Sequence, residues 1–156
     1  MGAMTRAPNR RQRALEKCAM DWIAWDDTLE TGHASMDGDH RELAELFDRL
    51  RDAVERDAEK ASCAALIDDI IEYAKTHFER EQRLMAQHRY PKAEQHAAEH
   101  AMLIRQALDY RKSFDADPAA ARSTLLRFAD VWLAFHILFS DKELAAFLGA
   151  KRGGHV

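Results

Sequence analysis

At 156 residues the chain is one domain's worth, long enough to bury a core without disulfides or metals merely to fold. Its 47% apolar and 32% charged residues, with 6 glycines and 3 prolines, argue against a disordered or β-rich protein and for an all-α one. A net charge of -4, with the two signs interspersed, excludes a surface built to neutralise a phosphate backbone, so no nucleic-acid partner is expected.

Residues 1–19 are a basic leader (Arg6, Arg10, Arg11, Arg13, Lys17) that reads as solvated and poorly ordered. No apolar signal core follows it. The longest apolar run, Val131 to Phe139, is broken by His136 and is too short to span a bilayer, so no membrane insertion and a cytoplasmic location are expected. Cys18 and Cys63 match neither a disulfide framework nor a zinc CxxC pair and read as ordinary thiols.

The bundle is expected over residues 20–150, with 151–156 as a tail. Met20 to Met36, with Trp22, Trp25 and Gly32, shows no sustained helical period and reads as an N-terminal arm packed on it. Asp37 or Asp39 then caps a helix over 38–57, in which His40, Leu43, Leu46, Phe47 and Leu50 recur on one stripe. A second stripe, Ile67, Ile70, Ile71, Ala74, His77, Phe78, Glu81, Leu84 and Met85, spans 61–87 until Tyr90-Pro91 stops it.

Pro91 is placed early in a third helix ending near Phe114, with His96, His100, Leu103, Ala107 and Leu108 facing inward. After the turn at Asp115 to Pro118, a last stripe runs through Leu125, Phe128, Ala129, Trp132, Phe135, His136 and Phe139 and fades toward Gly149. Short links between successive amphipathic helices predict an up-down-up-down four-helix bundle.

The informative feature is where the polar exceptions fall. His40, His77, Glu81, His96, His100 and His136 all lie on stripes whose other members are apolar. One histidine there is ordinarily a satisfied core residue; together they need a common partner, and a metal ion satisfies many such groups at once. His77-x-x-x-Glu81 and His96-x-x-x-His100 place paired ligands one turn apart on one face.

His136 and Asp141 are five apart, which an ideal α-helix splays by roughly 140°; a bulge, or a bridging carboxylate reaching around, would reconcile them. Five imidazoles and two carboxylates are too many for one tetrahedral zinc and too rich in nitrogen for magnesium or calcium. Two transition-metal ions bridged by carboxylates fit the count.

His40, His77-Phe78-x-x-Glu81, His96-x-x-x-His100 and His136-x-x-x-x-Asp141, with Trp25, Tyr90-Pro91 and Trp132-Leu133 between them, resemble the hemerythrins, specifically the bacterial single-domain ones, from about Trp22 to Leu148. The resemblance implies two iron ions bridged by oxo or hydroxo. His96, His100 and His136 would hold one, His40 and His77 the other, and Glu81 and Asp141 both. The iron with fewer ligands would offer an open position where dioxygen, the expected partner, binds and from which it leaves intact. Leu133 and Trp132 would wall that pocket and keep it dry. Two departures from the family's pattern, Asp39 in place of Gln and Met36-Asp37 in place of Ile-Asp, bear on the entrance of the first helix and on hydrogen bonding around His40.

The expected function is thus reversible dioxygen binding for storage, delivery or buffering, without enzymatic turnover. The alternatives are an oxygen or redox sensor, a di-iron enzyme acting on peroxide, nitric oxide or ferrous iron, and a structural zinc bundle. His33, His88 and His155 fall in the arm, a turn and the tail, and are expected to be solvent-exposed without a role.

Overall fold

The computed structural model describes residues 27–121, 124 and 130–153. The leader, Cys18, Trp22, Trp25, Leu125, Phe128, Ala129 and His155 lie outside the described residues.

A 3-10 turn at Asp27–Leu29 precedes four long helices: α1 (Ala34–Glu55), α2 (Lys60–His88), α3 (Ala93–Ala116) and α4, which covers 130–153. There is no strand among the described residues, and the chain is an all-α bundle as the periodicity predicts. No helix is long and apolar enough to cross a membrane among them.

The first helix begins four residues earlier than the capping signal suggests, at Ala34, and Asp37 is not its cap. Its carboxylate instead reaches back across the first turn to accept from Thr31 N and Thr31 Oγ, both at 2.7 Å, and from Gly32 N at 3.1 Å. Gly32 takes a left-handed φ of +80°, a conformation that a side chain disfavours. The arm is thereby folded onto the start of α1, while Lys142 of α4 donates to the Thr28 carbonyl.

The second helix ends in a Schellman arrangement without glycine: Arg89 takes a φ of +52°, Arg89 N donates to Ala86 O, and Tyr90 N donates to Met85 O at 2.9 Å. Tyr90 and Met85 pack in one apolar cluster, which closes the motif. Pro91 lies in the turn that follows, before α3, because Lys92 and not Pro91 leads into Ala93.

The fourth helix departs most from the simple periodic reading. Asp130–Ala134 and Ile137–Asp141 are π-helical, and α-pitch resumes at Lys142–Gly153. A π turn accommodates one residue more than an α turn. The buried line therefore runs Trp132, Leu133, His136, Ile137, Asp141, Leu144, Ala145, Leu148. Phe135 and Phe139, assigned to that stripe on an α period, are 60% and 67% exposed. Leu108 of α3, placed one residue beyond Ala107 on the inward line, also faces outward.

Among the described residues the core falls into two apolar clusters. The larger contains Leu43, Phe47, Leu50, Ile67, Ile70, Ile71, Phe78, Leu103, Phe114, Trp132, Leu133 and Ile137; the smaller contains Met36, Met85, Tyr90, Leu144, Ala145 and Leu148. Each fully buried aliphatic side chain contributes about 1.5–3 kcal/mol. In every helix the polar stripe residues sit between members of the two clusters, so a polar layer crosses the bundle between apolar ones.

Candidate metal centre

Each helix contributes to that layer: His40 from α1, His77 and Glu81 from α2, His96 and His100 from α3, His136 and Asp141 from α4. The structure brings together all seven residues singled out by sequence, and none is more than 7% exposed. His136 and Asp141 share a face because the turn between them is π-wound: Lys142 N donates to Ile137 O, five residues back.

The carboxylates organise the layer. Glu81 directs Oε2 to His100 Nε2 at 3.1 Å and His96 Nε2 at 3.5 Å, and Oε1 to His77 Nε2 at 3.6 Å. Asp141 does the same: Oδ1 lies 3.1 Å from Nε2 of both His96 and His136, and Oδ2 lies 3.1 Å from His40 Nε2. Two sets of donors result, His96, His100 and His136 in one and His40 and His77 in the other, with Glu81 and Asp141 common to both. Within each set the donor atoms lie within 4.8 Å of one another.

These approaches are not aligned as hydrogen bonds. Nε2 of His96, His100 and His136 and all four carboxylate oxygens are buried without a hydrogen-bond partner. Lone pairs that converge in this way, rather than donors that face acceptors, suit a cation between them. Two carboxylates left uncompensated at this depth would each cost several kcal/mol. A nitrogen-rich, carboxylate-bridged donor set also matches transition-metal chemistry better than that of hard cations such as calcium.

Charge in the layer responds accordingly. Burial works against ionisation of Asp141, yet His136, His40 and His96 hold its carboxyl well below the ordinary carboxylate range. For Glu81, burial and the charge of Asp141 oppose ionisation, and His100, His96 and His77 outweigh them, so its pKa is lowered too. Burial likewise disfavours a charged His96, but Asp141 and Glu81 raise it to about 9, whereas burial takes His100 down to about 4.

Aromatic rings close the layer on the side of the larger cluster. Phe78 stacks on His100 with centroids 3.9 Å apart and planes 9° from parallel, and its ring lies 5.7 Å from that of His136. Trp132 packs against Phe47 and Phe78 and donates from Nε1 to Leu103 O at 2.8 Å. Leu133 is buried in the same cluster.

Two carboxylates stand behind the imidazoles: Asp39, which the sequence associates with His40 and not with His77, and Glu99, which it does not single out. Asp39 bears on His77: its Oδ2 lies 3.2 Å from His77 Nδ1, and it accepts from Arg80 Nε and Nη2, both at 2.8 Å, and from Tyr73 OH at 3.2 Å. Burial alone would raise Asp39, but His77 and Arg80 bring it down to about 2. Glu99 Oε2 lies 3.5 Å from His136 Nδ1, and Glu99 accepts from Ser140 and Gln95. Neither has a spacing signal, since an acid beside a buried stripe looks like any surface acid. His33 and His88 are half-buried, more covered than expected, and belong to neither set.

Comparison with known proteins agrees with this arrangement. Residues 31–148 match the family model described as Hemerythrin HHE cation binding domain. The chain is 30% identical over 122 residues to the bacteriohemerythrin of Pseudomonas aeruginosa, covering 78% of each. It is also 30% identical over 129 residues to that of Stenotrophomonas maltophilia, covering 81% of each. Against the bacteriohemerythrin of Methylococcus capsulatus it is 28% identical over 131 residues, or 84% of this chain and 98% of that one. On the family match across most of its length, and with a buried His, Glu and Asp cluster able to hold metal, this chain belongs to the hemerythrin family.

Proposed function

We propose that the chain binds dioxygen reversibly at a non-haem di-iron centre, as a cytoplasmic carrier or buffer without turnover. The observation that carries this reading is the sharing of Glu81 and Asp141, each with one oxygen toward the three-histidine set and one toward the two-histidine set. On that division His96, His100 and His136 hold one iron, His40 and His77 the other, and the two carboxylates both. The two-histidine end has one protein ligand fewer, which is where a small ligand has room to enter.

Bound there, the iron pair supplies electrons that dioxygen takes up on binding and returns on leaving. The chain's own residues govern everything around that exchange. Five imidazoles, neutral when they ligate, add no charge, so Glu81 and Asp141 offset part of the positive charge of the two cations. Phe78, Trp132 and Leu133 keep one side apolar and exclude the water that would otherwise compete for the open position. Burial of all seven donors limits access to small molecules.

Iron-loaded, reduced protein exposed to air should develop a visible absorption band that disappears on deoxygenation and returns over repeated cycles, with one dioxygen taken up per chain. Sustained consumption of dioxygen, peroxide, nitric oxide or ferrous iron would overturn the carrier reading in favour of an enzyme.

A further inference from the structure

Only some imidazoles of the layer are held from behind. Nδ1 of His96 and of His100 is buried without a hydrogen bond, whereas His77 Nδ1 meets Asp39 Oδ2 at 3.2 Å. Asp39 is in turn fixed. Arg80 grips both of its oxygens, Tyr73 donates to Oδ1, and the Arg80 guanidinium lies over the Tyr73 ring at 5.7 Å. Tyr73, His77 and Arg80 are spaced by four and three residues on α2, so one helix face presents all three to Asp39 of α1. Neighbouring residues of α1 therefore serve two purposes, with His40 entering the donor set and Asp39 standing behind the ligand from the next helix.

We propose that Asp39 is the positioning residue for His77, holding the proton on Nδ1 so that Nε2 is the donor, and that Arg80 sets how strongly it does so. The proposal rests on the di-iron reading and deepens it at the two-histidine end. An ionised acceptor on Nδ1–H pushes electron density toward Nε2 and makes the imidazole a stronger ligand. A stronger ligand stabilises the more oxidised cation, which lowers the reduction potential. The Arg80 guanidinium draws charge from the same carboxylate and so moderates the effect.

The two partners thus act in opposite directions, and this separates positioning from scaffolding. In the iron-loaded full chain, Asp39→Asn should raise the midpoint potential, and Arg80→Gln should lower it. With zinc(II) in place of iron, the NMR resonance of the His77 Nδ1 proton should move upfield in Asp39→Asn and downfield in Arg80→Gln. Uptake of the second metal equivalent by Asp39→Asn should weaken about 10- to 100-fold.

A purely structural role predicts that both variants shift potential and resonance in the same direction. That outcome, or potentials equal to the unmutated protein's, would overturn the proposal. Should Asp39→Asn fail to fold or to load, Arg80→Gln decides alone, because its potential must fall. Failure of the unmutated chain to take up two irons would refute the di-iron reading itself, and the proposal's premise with it.

Discussion

His136 Nε2 lies 3.1 Å from Asp141 Oδ1 although they are five positions apart, because the intervening turn of α4 is π-helical. One extra residue in that turn cancels most of the rotation that α-pitch would put between them. Phe139, inside that turn, is 67% exposed, while Ile137, Asp141 and Leu144 are buried.

Spacing across this turn should therefore be tunable in one direction only. Deleting Leu138 puts the two ligands four positions apart, with three residues between them, at which α-pitch itself aligns them, so two irons per chain should be retained. Inserting an alanine after Leu138 should lose metal while helix content by circular dichroism stays near the original. An insertion variant that still holds both irons would contradict the role given to the π turn.

In the metal-free protein the imidazoles respond to pH in opposite senses. His96, raised from 6.5 to about 9, adds stability that is complete below its ordinary value and is lost as pH rises through about 9. His100, lowered to about 4, is held neutral in the fold, so stability falls as pH drops from its ordinary 6.5 toward about 4. Urea titrations of metal-free protein should show a maximum near pH 6.5 that flattens once metal is bound. Metal must also expel the His96 proton, so apparent affinity should climb with pH up to about 9. Calorimetry in buffers of different ionisation enthalpy would register the released proton; a pH-independent affinity would count against it.

Phe78 carries more than its share of the packing around the layer, in contact with the rings of His77, His100, Trp132 and His136. Phe78→Ala should destabilise the fold by about 3–5 kcal/mol, read from denaturant titration. It should also speed loss of bound dioxygen or irreversible oxidation of the iron by admitting water. A variant as stable as its parent would show that the ring is not part of the packed core.

Much of this arrangement was legible in the residues alone. His40, Leu43, Phe47 and Leu50, or His77, Phe78 and Glu81, announce themselves because an α-helix repeats its buried face at fixed spacing and a metal needs donors on that face. The same rule misassigned Phe135 and Phe139, since a change of pitch within a helix leaves no period to read. It placed Asp37 as a cap when its carboxylate serves the turn before. Asp39 and Glu99 were invisible as partners of His77 and His136 because contacts between helices depend on how the helices rotate against each other, which periodicity does not encode.

The central claim is that these seven side chains hold a pair of cations, and counting metal tests it most directly. Protein purified from iron-supplied cells should carry two irons per chain by elemental analysis; Glu81→Ala should lose them, and His88→Ala should keep both. A well-folded parent chain that binds fewer than two metal ions, or a His88→Ala variant that loses them, would contradict the account.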